Sequence, residues 1–353
     1  MNVNRSYHKI MAGICILLLN IGMLAGCTGV SGENNDTDEI SETEPVHAFL
    51  DEFTTVSDAD AASYFVIDTA RPYEVDLPEY SPQVMVSYSK DYAVIPYTGA
   101  VSSDATTKIC IDHTDNTVID NENPFEKIYP ASVTKIMTAL LVLENGDLDD
   151  VYTLEAPIDL GDPMAVSLGL QVGDRITVRE LLNGLLLESA NDYAVALGRY
   201  VAGNDQAFVK MMNQRAAELG ATHTHFMNPH GLHDEEHYTT GYDLYLIYRE
   251  LIAYKEYREI AGQTTHDLVL TDQDGNQIHK TLENSNQYIA GSVTAPEGIT
   301  VLCGKTGTTS EAGCCLILLA VDRSGNEYIV VVCGVSNHSY LYTLMNEELS
   351  KIE

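Results

Sequence analysis

A hydroxyl and an amine stand three residues apart in Ser132-Val133-Thr134-Lys135, at the head of the apolar run IMTALLVLENG. One helical turn separates them, so both side chains share a face. A serine is a nucleophile when a base takes its proton. A lysine is a base once burial or a like charge has depressed its pKa from about 10.4. On that reading, the ammonium group at the foot of so apolar a helix is placed to lose its proton. The plain alternative makes Ser132 a helix N-cap and Lys135 part of a solvated face. Ser-x-x-Lys alone does not decide between them, since it also occurs as Ser6–Lys9 and Ser87–Lys90. Two further groups lie downstream: Ser189-Ala190-Asn191, a hydroxyl and an amide, and Lys305-Thr306-Gly307, a cation, a hydroxyl and an open backbone. A fixed cation beside a hydroxyl suits a carboxylate. Ser-x-Asn recurs at Ser324-Gly325-Asn326, whereas Lys-Thr-Gly occurs once, so order and placement carry the reading.

The elements around these groups follow from hydrophobic pattern and punctuation. Ser132 to Glu144 is apolar nearly all round, which predicts a helix buried on every side, ended by Asn145-Gly146. ITVRELLNGLLLESANDYAVALGRYVAG predicts two helices broken near ESAND, which puts Ser189 and Asn191 at the break. DQAFVKMMNQRAAELG, closed by Gly220, and YDLYLIYRELIAY predict two more helices. TTKICIDHT (106–114) is strand-like, with DNENP read as a turn after it. GITVLCGKTGTT, CCLILLAV and EYIVVVCGV are strands as well, the last two joined by the hairpin signal DRSGN, and YLYTLMNEELSKI has helical spacing. Strand material therefore flanks a helical middle. The expected fold class is α+β: an antiparallel sheet flanked by helices, with an inserted all-helical subdomain and the site between them.

A formal net charge of −33 argues against nucleic acid as a partner. Near the N-terminus, Arg5 and Lys9 precede a short apolar run closing on Leu24-Ala25-Gly26-Cys27. This fits a secretory signal better than a membrane span of about 20 apolar residues. The small residues before Cys27 resemble the lipobox of bacterial lipoproteins. That implies a signal peptide over 1–26, a diacylated Cys27, and an extracytoplasmic protein held to the membrane by its lipid. An ordinary signal peptide that contains a cysteine is the alternative. Residues 27–63 are acidic, with no Lys or Arg between Lys9 and Arg71, and read as a disordered, self-repelling tether. Residues 64–103 show no clean period and stay unassigned. Residues 104–340 are enough to bury a large core as one domain or two interleaved subdomains, with 341–353 as a C-terminal helix. Beyond Cys27, five cysteines (Cys110, Cys303, Cys314, Cys315 and Cys333) are neither a disulfide framework nor a zinc pattern. Their apolar surroundings predict buried thiols, with one pair still able to bridge.

Ser-x-x-Lys, Ser-x-Asn and Lys-Thr-Gly in this order resemble the serine penicillin-recognising enzymes. More closely, the chain is similar to the low-molecular-mass penicillin-binding proteins, the D-alanyl-D-alanine carboxypeptidases. Their wording stands here as YPASVTKIMTALLVLE, LLNGLLLESANDYAVALGRYVAG, HFMNPHGLHDEEHYTT and GKTGTTSEAG, over roughly residues 104–335. The resemblance implies a β-lactamase/DD-peptidase-like fold and acyl transfer that needs neither cofactor nor metal. Ser132 would be the nucleophile, Lys135 its base, and Ser189 a relay of the proton to the leaving amine. Asn191 would hold the substrate amide and orient Lys135. Lys305, Thr306 and Gly307 would receive the terminal carboxylate, and backbone N–H groups of Ser132 and Thr308 the oxyanion. The implied substrates are peptidoglycan stem pentapeptides ending in D-Ala-D-Ala, with β-lactams as inhibitors that acylate the same serine. Several relatives add a β-rich domain and a C-terminal amphipathic anchor. About 46 residues follow Gly307 here, so both are expected to be missing, with lipid on Cys27 as the substitute anchor.

Other readings stay open. A class A β-lactamase would carry Ser-Asp-Asn and a Glu-x-x-Leu-Asn loop, and no such loop follows SAN. A lipoprotein that binds muropeptides or β-lactams without turnover would keep the same three motifs. His233-x-x-Glu236-His237 fits an inverted zinc-protease pattern, but that pattern needs a helix, and Asn228-Pro229 and Gly231 just upstream predict a loop.

Overall fold

The computed structural model describes residues 107–352. The readings of the signal, of Cys27, of the tether and of residues 64–103 lie outside them. In chain order the elements are β1 (Thr107–Asp112), β2 (Thr117–Glu122), a 3-10 turn (Ala131–Thr134), α1 (Lys135–Asn145), β3 (Val151–Thr153) and β4 (Arg175–Thr177). Then come α2 (Val178–Leu186), α3 (Asn191–Ala202), α4 (Asp205–Glu218), α5 (Gly241–Leu251) and α6 (Lys255–Ala261). The chain continues with β5 (Thr265–Thr271), β6 (Gln277–Glu283), β7 (Thr300–Thr309), β8 (Gly313–Val321), β9 (Glu327–Val335) and α7 (His338–Leu349).

Five strands make one antiparallel sheet in the order β2-β1-β9-β8-β7. Side chains alternate across it. Cys315, Ile317 and Leu319 of β8 join the core shared with the helical insertion, while Cys314, Leu316, Leu318 and Ala320 join the core under α7. A strand covered on both faces needs no polar alternation, which explains the unbroken CCLILLAV. α7 lays Leu341, Leu344, Met345 and Leu349 on that outer core. It begins at His338, earlier than the expected boundary at 341, because the Asn337 side chain accepts the Tyr340 N–H and caps the first turn.

The insertion between β2 and β7 holds α1 to α6. α1 is buried from Lys135 through Val142, as its all-round apolar pattern requires. The insertion also carries a four-stranded sheet, β3-β4-β5-β6, beyond the helices expected there. A second difference lies at DNENP. Asp120, Asn121 and Glu122 finish β2, paired with Cys110, Ile109 and Lys108, and the chain reverses earlier instead. Asp112 Oδ1 accepts the Asp115 N–H at 2.9 Å and Asn116 takes φ +55°, a turn closed by a side chain that leaves the following residues free to pair. Cys110, Cys303, Cys314, Cys315 and Cys333 are all buried free thiols. Among the described residues no helix is long and apolar enough to cross a membrane.

Candidate active site

Ser132 lies in the 3-10 turn that leads into α1, not in α1 itself, and neither Ser132 nor Thr134 caps a helix with its side chain. Ala131 enters the turn at φ +47°, a left-handed conformation that costs an alanine energy. Ser132 Oγ lies 2.8 Å from Lys135 Nζ, within hydrogen-bond distance. Lys135 is 0% exposed. It donates to Asn191 Oδ1 and to the carbonyl oxygen of His230, each at 2.7 Å. Burial, and then the charge of Lys305, hold Lys135 well below the ordinary lysine range, with the Asp192 carboxylate opposing them. Both oxygens can only accept. A neutral Lys135 amine therefore gives them its two N–H groups and keeps its lone pair for the Ser132 hydroxyl.

Ser189 stands in the break between α2 and α3, at φ +61°. Ala190 occupies the N-cap of α3 and makes no side-chain bond, so Ser189 is not a capping residue. Its hydroxyl accepts from Lys305 Nζ at 3.0 Å, and Lys305 also donates to the Thr306 carbonyl at 2.8 Å. Burial brings Lys305 down to about 7. Of two amines sharing an enclosed site, one keeps the proton. Lys135 is depressed by the charge of Lys305 as well as by burial, so the proton rests on Lys305.

β7 brings the third group against the first. A side chain on Gly307 would stand 2.9 Å from the backbone nitrogens of both Ser132 and Val133. The glycine thus lets the strand lie against the Ser132 turn, which adds a packing reason to the open backbone expected there. Thr306 is half-buried and its hydroxyl meets that of the exposed Ser285 at 2.8 Å. Thr308 is exposed and donates its hydroxyl to the Gly307 carbonyl at 2.7 Å. The structure thus gathers Ser132, Lys135, Ser189, Asn191, Lys305 and Gly307 at one place, with Thr306 and Thr308 beside them on β7.

Residues 228–237 complete the site, and their part in it was not expected. Asn228 Oδ1 accepts the N–H groups of His230 and Gly231, and Asn228 Nδ2 donates to the Leu232 carbonyl, which shapes a tight loop. That loop is fixed to the start of α1 at three points. Thr138 donates to the Pro229 carbonyl at 2.6 Å, Lys135 reaches the His230 carbonyl, and Thr134 Oγ1 meets His237 Nε2 at 2.8 Å. His237 Nδ1 accepts the Met227 N–H, so Nε2 carries the proton and donates to Thr134. Burial is the main cause that pushes both His230 and His237 down to about 3, so both are neutral. The segment forms no helix, and His237 commits both ring nitrogens to the fold. The signal that pointed here was Asn228-Pro229-His230-Gly231, a turn sequence with no evident business beside a helix a hundred residues earlier.

A family model described as D-alanyl-D-alanine carboxypeptidase matches residues 96–337. The chain is 34% identical over 246 residues to the D-alanyl-D-alanine carboxypeptidase DacF of Bacillus subtilis, covering 68% of this chain and 59% of that one. It is 28% identical over 289 residues to the D-alanyl-D-alanine carboxypeptidase DacD of Escherichia coli, covering 78% and 66%. It thus spans about three-fifths to two-thirds of the length of these curated relatives. The crystal structure of the Streptomyces K15 DD-transpeptidase superposes with a TM-score of 0.63 at 26% identity, over 71% of this chain and 96% of that one. A match of this extent, on a sheet and insertion of the same architecture, identifies the lineage: the chain belongs to the D-alanyl-D-alanine carboxypeptidase family.

Proposed function

We propose that this chain is a serine-type D-Ala-D-Ala carboxypeptidase that removes the terminal D-Ala from peptidoglycan stem pentapeptides, and that β-lactams acylate the same serine. The observation that carries this reading is the 2.8 Å contact between Ser132 Oγ and an amine that the protein encloses completely. The neutral Lys135 takes the hydroxyl proton as Ser132 attacks the penultimate D-Ala carbonyl. The amide C–N bond breaks, the leaving amine receives a proton through Ser189, and water then hydrolyses the acyl-enzyme. Lys305, protonated and 3.0 Å from Ser189 Oγ, holds the terminal carboxylate with the Thr306 hydroxyl and drives the proton off Lys135. Asn191 steadies Lys135 and the substrate amide. The backbone at Ser132 and Thr308 receives the oxyanion, near the gap that Gly307 keeps narrow.

The soluble form starting near Ser63, incubated with a fluorescent penicillin, is expected to carry one label on Ser132 by mass spectrometry. Ser132→Ala loses it, and a chelator does not affect it. Release of D-Ala from a pentapeptide establishes the carboxypeptidase. Label without release supports the non-catalytic lipoprotein, and rapid penicillin hydrolysis the β-lactamase. An unlabelled but folded protein defeats the proposal.

We further propose an extracytoplasmic location, with the protein anchored to the membrane by acyl chains on Cys27. The Leu24-Ala25-Gly26-Cys27 sequence behind a charged, short apolar run supports this. Cells fed an alkyne-tagged fatty acid should label the full chain, and Cys27→Ala should lose the tag and leave the membrane fraction. A tag that survives Cys27→Ala rejects the anchor.

A further inference from the structure

Asp192 follows Asn191 in the first turn of α3 and is 3% exposed. An acid in this position ordinarily serves its own helix. Here its oxygens reach out to another part of the chain. Oδ1 accepts the Leu168 N–H at 3.1 Å, and Oδ2 accepts those of Gly169 and Leu170 at 2.8 and 3.0 Å. One residue earlier, the Asn191 N–H donates to the Val166 carbonyl at 2.9 Å. Lys280 of β6 ties the same segment from the other side through the Leu168 carbonyl. Residues 166–170 have no regular structure of their own, and Met164 and Val166 beside them are 87% and 50% exposed. Leu170 enters the core and Leu168 packs against it, while those two side chains stand outside. The carboxylate fixes the backbone between the two leucines through three charge-assisted hydrogen bonds.

The other end of this connection is the site. Asn191 Oδ1 is one of the two oxygens that orient Lys135. We propose that Asp192 is a positioning residue for acylation: by gripping residues 168–170 it fixes the first turn of α3, and with it the Asn191 amide that aims the Lys135 lone pair at Ser132. The inference rests on the acyl-serine reading of the site. It also has an electrostatic side. The groups facing Lys135 are Ser132 on its turn, Asn191 and Asp192 on α3, Lys305 on β7, and the neutral His230 and His237 before α5. Asp192 favours the charged amine against burial and Lys305. Its neutralisation therefore lets Lys135 lose its proton at lower pH. A residue with a merely structural role would lower the rate without moving the pH dependence.

The test is the rate of Ser132 acylation by a fluorescent penicillin, followed from about pH 5 to pH 10 for four proteins. Asp192→Asn is expected to lower the plateau about tenfold, as a slightly misplaced base does, and to move the acidic limb to lower pH. Asp192→Glu keeps the charge but misplaces it, so the plateau falls and the limb stays near its wild-type position. Lys280→Gln cuts the second tie alone and should cost less than about threefold, with the limb unmoved. A wild-type plateau, or a wild-type limb, in Asp192→Asn overturns the inference. Should that variant not fold, a wild-type plateau in Asp192→Glu overturns it instead. Absence of label on the wild-type protein is a different result, which removes the acyl-serine reading itself.

Discussion

Lys135→Met is expected to lower the acylation rate about a thousandfold or more and to erase its dependence on pH at the acidic side. Methionine fills the enclosed volume, so the loss reports the missing lone pair rather than a cavity. In the wild type, the rate rises with pH through the range where Lys135 gives up its proton, well below the usual lysine range. It declines again as Lys305, brought by burial to about 7, loses the charge that draws a carboxylate. A bound carboxylate favours the ammonium and moves that second limb upward. The same pair bears on stability. Both lysines bind a proton more readily unfolded than folded, so unfolding takes up protons. Their contribution to stability therefore increases with pH, from about 7 towards the unfolded lysine value near 10.4. The methionine variant loses its share of that slope. It gains no net stability from it, because Asn191 Oδ1 and the His230 carbonyl are left buried without a donor, at about 1–3 kcal/mol each. Stopped-flow acylation and thermal midpoints across the pH range read both effects. A variant that still acylates at a tenth of the wild-type rate places the base elsewhere.

What was legible in the sequence, and what was not, divides by the range of the interaction. Ser132 and Lys135 meet across three residues, so helical spacing alone puts them together. The strands β7, β8 and β9 are long, apolar and bounded by turn residues, and each shows in the sequence. β2 does not, because TVIDNE is half-exposed and ends in residues common in turns. β3 and β4 have three residues each, too short for any period to appear. β5 and β6 bury little besides Leu268, Leu270 and Leu282. The largest omission is the support of the nucleophile's turn. Lys135 and His230 are 95 residues apart and Thr134 and His237 are 103 apart. Nothing local marks such contacts. Asp192 was hidden differently: an acid in a first helical turn is so ordinary that its three long-range hydrogen bonds leave no trace in the pattern.

Gly231→Ala should destabilise the protein by about 3 kcal/mol or more, lowering the thermal midpoint by roughly 10 °C. It should also cut acylation about a hundredfold in whatever folds. Two separate costs coincide. Gly231 lies at φ +86°, where a side chain costs roughly 1–2 kcal/mol. Its β-carbon would also stand 1.8 Å from the Ala131 carbonyl oxygen and 2.8 Å from Thr134 Oγ1. The first of these is backbone and cannot rotate away. Either the loop withdraws, taking the His230 carbonyl from Lys135, or the turn moves, taking Ser132 with it. Ala131 already holds φ +47°, so the turn has little freedom to adjust without losing its shape. Gly203→Ala separates the two costs. That glycine has φ +80° with nothing within 4 Å of the added carbon, so it should lose only about 1 kcal/mol and keep the wild-type acylation rate. If both alanines behave alike, the close approach of Gly231 to the Ser132 turn has no energetic weight, and the loop is not what holds the nucleophile in place.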